Sequence, residues 1–171
     1  DGKTDLAVGA YDYSSTTGRI YIFHSDGSLA TGATNADIII TGETGIGFGI
    51  ALVSGDFNSD GRIDIVVGAD HSLSTGGVYV FYNDGSLPTT AATADVTITG
   101  EASFNYFGRS FTVGDFNSDG RTDLAVGASG YSSATGRAYI FYNDGSIPTT
   151  AGTADVTITG TSSNDDFGWT L

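Results

Sequence analysis

GDFNSDGR, Gly55 to Arg62, recurs unchanged at Gly114 to Arg121, 59 residues further on. The tail of the same unit, DGKTDLAVGA, occupies Asp1 to Ala10, again 59 residues before its counterpart at Asp60. Phe48-Gly49, Phe107-Gly108 and Phe167-Gly168 repeat at spacings of 59 and 60, and Asp84 to Gly100 differs from Asp144 to Gly160 at only two of 17 positions. A fixed period of this length marks a repeat architecture, in which each unit buries its apolar faces on its neighbours. The units run approximately 1–47 (incomplete at its start), 48–106 and 107–166, with 167–171 opening another, all within one repeat domain over 1–171.

Each unit reads as four short antiparallel strands. In the middle unit these are Phe48 to Gly55, Asp64 to Ala69, Gly77 to Tyr82 and Ala94 to Thr99. IVVGA and VYVFY are apolar at successive positions, which predicts a sheet packed on both faces, whereas DVTIT alternates with period two. Asp26-Gly27, Asp84-Gly85 and Asp144-Gly145 are expected to be hairpin turns between the third and fourth strands, because glycine tolerates positive φ. The fold class is therefore all-β, with about three four-stranded units packed face to face as β-propeller-type blades; a β-solenoid is the structural alternative. About three blades leave the first and last with uncovered apolar faces. Further blades of the same polypeptide, or other copies of the chain, are expected to cover them. The chain opens and closes at nearly the same point of the repeat, so it reads as a window on a longer array.

Composition narrows the partners. Twenty acidic residues against six basic ones give a formal charge of −14. Phosphate backbones and anionic membrane surfaces need Lys and Arg, so a nucleic-acid partner is excluded. No apolar run reaches membrane-spanning length, so no membrane insertion is expected. Without cysteine there are neither disulfides nor thiolate metal sites.

The strongest chemical pattern is D-x-N-x-D-G-x-x-D. It is complete at Asp56, Asn58, Asp60, Gly61 and Asp64, and again at Asp115, Asn117, Asp119, Gly120 and Asp123. Calcium takes six to eight hard oxygen ligands in flexible geometry. Positions 1, 3 and 5 offer side-chain oxygens, position 7 a backbone carbonyl (Arg62 or Arg121), and position 9 a further carboxylate. Glycine at position 6 permits the turn. An EF-hand would carry Glu at position 12, where Val67 and Val126 stand here. Calcium is thus the expected cofactor of two full sites, with a half-site at Asp1, Lys3 (backbone oxygen) and Asp5. The two full loops hold six of the 20 acids, and two bound cations would bring the formal charge from −14 to −10. Asp-Gly outside this frame is only a turn signal.

Phe-Gly, then GDFNSDGRTDLAVGA, then a glycine and an aromatic β run, resembles the FG-GAP repeat of integrin α-subunit propellers and many bacterial surface proteins. The resemblance spans essentially the whole chain. It implies calcium in the loop between a blade's first and second strands, and ligand recognition on the opposite face. Such propellers typically have seven blades. The residue after Gly-Ala is Tyr11, Asp70 or Ser129 rather than proline, which departs from the family pattern. The opposite face would be built by Tyr11 to Gly18, Asp70 to Gly76 and Ser129 to Gly136, joined by the segments before each Phe-Gly. Phe104, Asn105 and Tyr106 are its most ligand-like residues, since exposed aromatics stack on sugars or peptides; the bland alternative is packing between blades.

No catalytic constellation is apparent. His24 occupies the slot of Tyr82 and Tyr142 and reads as a hairpin-edge substitution, and His71 falls in a loop. Glu43 and Glu101 share a repeat position in separate blades, which does not make a catalytic pair. The chain reads as a non-catalytic calcium-binding module of an extracellular or cell-surface protein, microbial in origin, that serves adhesion or recognition of a protein or carbohydrate ligand. The alternatives are a subunit of a self-assembling extracellular fibre or sheath, and an accessory propeller of a larger secreted enzyme.

Overall fold

The computed structural model describes residues 3–70 and 74–171. Among them, strands form three antiparallel sheets, each a meander in chain order. The first sheet holds β1 (Leu6–Ala10), β2 (Arg19–Phe23) and β3 (Ile38–Thr41). The second holds β4 (Phe48–Gly55), β5 (Asp64–Ala69), β6 (Gly77–Phe81) and β7 (Val96–Thr99). The third holds β8 (Phe111–Gly114), β9 (Asp123–Ala128), β10 (Arg137–Phe141) and β11 (Val156–Thr159). The architecture is all-β and built of blade-like sheets.

The double-faced apolar strands pack as their sequence demands. Val66, Val78, Val80 and Ile98 point from the second sheet into a core shared with Phe107, Phe111, Leu124, Val126, Tyr139 and Phe141. Val67, Ala69 and Phe81 point the other way, against Ile20, Ile22 and Ile40 of the first sheet. Both cores thus lie between sheets. Phe48 and Phe107 are fully buried there, and each meets two rings of its own third strand edge-on. Such edge contacts add to the stabilisation from area alone.

The Phe-Gly and Gly-Ala motifs explain each other across the junction. A Cβ on Gly68 would sit 2.0 Å from the carbonyl oxygen of Gly108, and one on Gly76 (φ 75°) would sit 2.1 Å from that of Phe107. Neither position can accept a side chain without displacing the next repeat's backbone.

The expected Asp-Gly hairpins are corrected by the structure. Residues 82–95 separate β6 from β7, with a 3₁₀ turn at Ala91–Thr93. Gly85 does have positive φ (121°), but it lies inside this long loop and does not close it. The loop base is tied by Asp95, whose Oδ2 accepts from Tyr82 N at 2.8 Å. Asp37 and Asp155 do the same for His24 N and Tyr142 N. The extra length has a physical reason: the loop reaches the edge of the preceding sheet, where Thr41 N donates to Thr89 O at 3.0 Å. Thr99 N donates to Thr149 O in the same way. The third strand also ends at Phe81 rather than Tyr82, and the fourth begins at Val96 rather than Ala94.

The departure from proline after Gly-Ala has a structural use. Asp70, almost fully buried, pairs with Arg109 Nε of the next repeat at 2.5 Å, and the Arg109 guanidinium lies over the rings of Tyr106 and Trp169. Tyr139 Oη donates to Glu101 Oε2 at 2.8 Å across the same junction. Burial, then the Glu101 bond and charge, push the Tyr139 hydroxyl well above its usual range.

Candidate metal centre

The two complete D-x-N-x-D-G-x-x-D loops join β4 to β5 and β8 to β9. Gly61 and Gly120 take φ of 81° and 84° at the turn, the left-handed region that favours glycine. Within the first loop, Asp56 Oδ1 accepts from Asp60 N at 3.2 Å and its Oδ2 from Gly61 N at 3.0 Å. Asn58 Oδ1 accepts from Asp60 N at 3.0 Å, and Asp60 Oδ1 accepts from Arg62 N at 2.8 Å. Asp115, Asn117 and Asp119 repeat this pattern with Asp119, Gly120 and Arg121 amides. These bonds fold the loop so that the acidic side chains share one surface-facing turn.

The ninth position behaves differently from the other three. Asp64 and Asp123 are fully buried. Asp64 Oδ2 accepts from Phe57 N (2.8 Å) and Asn58 N (3.3 Å), while its Oδ1 accepts from Asn83 N (2.8 Å). Asp123 binds Phe116 N, Asn117 N and Asn143 N in the same way. One carboxylate therefore ties the acidic-loop backbone to the end of the third strand. That role was not legible from ligand spacing alone.

The donor set fits a hard divalent cation. Each loop presents only oxygens, three carboxylates and one amide, and among the described residues no ion pair neutralises them. An oxygen that accepts one amide keeps a further lone pair for an ion. Among the described residues, no three Asp, Glu, His or Cys side chains are already drawn around a common point. Closing on an ion therefore requires the exposed carboxylates to draw closer together. Nitrogen or sulfur donors, which would favour zinc, are lacking in both loops.

The half-site differs again. Asp5 is exposed and accepts from Ser25 N at 2.8 Å; its Oδ2 lies 3.0 Å from His24 Nδ1. The Ser25 amide first, and His24 second, hold its carboxyl below the ordinary value. Lys3 is exposed. Asp1 and His71 lie outside the described residues. His24 is thus a partner of Asp5, in addition to standing at a strand end.

On the opposite side of the sheets, Tyr13–Thr16 and Tyr131–Ala134 each coil through a left-handed turn. Their φ values are 49° to 60° at Ser14, Ser15 and Thr16, and 50° to 60° at Ser132, Ser133 and Ala134. Three successive non-glycine residues in this region store backbone strain. Phe104 and Tyr106 also have positive φ, and the three candidate ligand residues part company there. Phe104 is 57% exposed, Tyr106 packs under Arg109, and Asn105 O accepts from Gly130 N at 3.1 Å.

The sequence is similar to those of known proteins. The FG-GAP repeat family model matches residues 107–141, and an FG-GAP-like repeat model matches residues 1–67. Integrin alpha-PS5 of Drosophila melanogaster is 35% identical over 118 residues, which cover 66% of this chain and 11% of that protein. Phosphatidylinositol-glycan-specific phospholipase D of Mus musculus is 35% identical over 137 residues, covering 72% of this chain and 16% of the enzyme. Integrin alpha-7 of Homo sapiens is 37% identical over 99 residues, covering 54% and 8% respectively. The chain thus spans less than a fifth of the length of each of these relatives.

Proposed function

We propose that this chain, which belongs to the FG-GAP repeat family, is a non-catalytic, calcium-binding recognition module of an extracellular or cell-surface protein. The observation that carries the reading is the pair of matching loops, 56–64 and 115–123, with oxygen donors in the same places and, among the described residues, no ion pair to a basic side chain. Asp56, Asn58, Asp60 and Asp64 would hold one ion, with the Arg62 carbonyl. Asp115, Asn117, Asp119 and Asp123, with the Arg121 carbonyl, would hold the other. The bound ion supplies charge neutralisation, and the chain's own part is to hold the loop in register with the third strand through Asp64 and Asp123.

The integrin relatives favour adhesion or ligand recognition as the task. FG-GAP repeats of integrin alpha-like proteins sit in larger propellers of one chain, so further blades are the expected neighbours of the exposed sheets. The phospholipase D relatives favour a second reading, an accessory propeller carried by a larger secreted enzyme. Among the described residues, no helix is long and apolar enough to cross a membrane.

The test is metal stoichiometry with melting. Two calcium ions per chain are expected, with a lower Tm in chelator. A hundredfold excess over Kd is worth about 2.7 kcal/mol. Asp60→Ala and Asp119→Ala should each lose one ion, and Asp84→Ala none. Equal losses from Asp60→Ala and Asp84→Ala, or melting indifferent to chelator with no metal bound, would remove the calcium reading.

A further inference from the structure

Among the described residues, an open cavity of about 170 Å³ lies beside the start of β6, lined in part by Ile46, Ala69, Gly77, Tyr79 and Thr99. The place of Gly77 is held in the first and third sheets by Arg19 and Arg137. Each arginine donates through Nε to its paired threonine on the fourth strand in the repeat frame, Thr41 at 3.1 Å and Thr159 at 2.9 Å. Arg137 Nη1 also lies 3.6 Å from Oε2 of Glu101, which accepts from Tyr139 Oη at 2.8 Å. Counterparts of all three partners stand at the cavity. Thr99 pairs with Gly77 as Thr159 does with Arg137, and Tyr79 takes the place of Tyr139. Glu43 follows the first sheet in the same Thr-Gly-Glu that carries Glu101 after the second. Burial first, and the Glu43 charge second, raise the Tyr79 hydroxyl above its usual range. Among the described residues, Glu43 makes no ion pair. The backbone does not require glycine at position 77. A Cβ there would meet nothing closer than 3.4 Å, an ordinary contact, and φ is not positive, in contrast to Gly76. The effect of Gly77 is to leave room.

We propose that this cavity is a seat for an arginine side chain of a partner protein, whose guanidinium donates to the Glu43 carboxylate, the Tyr79 hydroxyl and Thr99 Oγ1. The chain's own Arg137 shows the arrangement, with Nε on a threonine and Nη1 toward a glutamate. A guanidinium presents five donors in a rigid fork and serves several oxygen acceptors at once, which a compact ammonium does less well. Ile46 and Ala69 give the methylene stem an apolar wall. The formal charge of −14 favours the approach of a basic segment. Gly77 pairs with Ala69, at the end of β5 away from Asp64, so the seat goes beyond the calcium reading and does not depend on it.

The probe is N-acetyl-arginine methylamide, titrated into the full chain at constant ionic strength in chelator, so that failure here is separate from failure of the calcium reading. Saturable one-to-one shifts of the Ile46 and Ala69 methyl signals are expected, with Kd on the order of millimolar for a single side chain. The capped lysine analogue should bind at least about threefold more weakly, for want of the fork. Glu43→Gln should weaken the arginine probe by about three- to fivefold, the scale of an exposed ion pair. Thr99→Val, which removes one acceptor and keeps the shape, should weaken it by at least about threefold. Gly77→Arg, which supplies the side chain from within, should abolish binding in a chain that still melts cooperatively. Equal binding of the lysine analogue, affinity unchanged in Glu43→Gln and Thr99→Val, or no saturable shift would overturn the seat. Tighter binding of free arginine than of the capped probe would overturn its assignment to a partner protein's side chain.

Discussion

Ile98 and Ile158 hold the same place in the fourth strands of the second and third sheets, within stretches that differ at two of 17 positions. Ile98 is fully buried and Ile158 is 46% exposed. Phe107 and Phe167 differ likewise, at 1% and 39%. The second sheet is covered on both faces, whereas the outer face of the third is open. Near-identical local sequence therefore produces the same strand but not the same burial. Most of the stabilisation of a repeat lies in its junctions, as nearest-neighbour coupling in repeat arrays leads one to expect.

The largest effect should come from the Phe-Gly phenylalanines. Phe107→Ala empties a closed junction and should cost about 3–5 kcal/mol, against about 1 kcal/mol or less for Phe167→Ala, read by denaturant unfolding. Equal costs would mean that the third sheet is covered in solution, and a second copy would then show in light scattering. A milder version sharpens the same contrast: Ile98→Val should cost about 1 kcal/mol and Ile158→Val almost nothing. If the outer face is covered by further blades in a longer chain, Ile158→Val should rise to match Ile98→Val there.

The smallest effect concerns the first sheet, whose ninth-position carboxylate is exposed while its two counterparts are buried. The carboxyl of Asp5 is held below its ordinary value of 3.8, so the folded state binds a proton less readily than the unfolded state. Its contribution is fully present above that value and is lost as pH falls through the lower folded value. Asp5→Asn should therefore lower stability slightly at neutral pH, with the difference from the parent chain shrinking as pH falls below about 4. An unaltered acid limb would show that the Ser25 and His24 contacts carry no weight.

Much of this was legible in the residues. The period, the strand positions, the double-faced character of β6 and the glycine at the sixth loop position all express local rules that each repeat obeys alone. The site was legible as a set of candidate ligands but not as a hierarchy. Spacing made Asp64 one donor among four, whereas burial makes it the tie between loop and third strand. Asp84-Gly85 looked like a hairpin because Asp-Gly usually is one. Asp95, eleven residues later, closes that loop instead, because the loop must span to the preceding sheet. Asp70 looked like a defect in a motif until Arg109 of the next repeat was found beside it.

The sequence by itself determined the repeat, the all-β sheets and the chemistry of the two acidic loops, because backbone periodicity, turn geometry and ligand type act over a few neighbouring residues. Only the tertiary structure decided which face of a sheet is covered, which aspartate is buried, and which side chains of neighbouring repeats meet at a junction. Those outcomes depend on pairs 39 to 86 residues apart, such as Asp70 with Arg109 and Phe57 with Asn143, which no local pattern brings together.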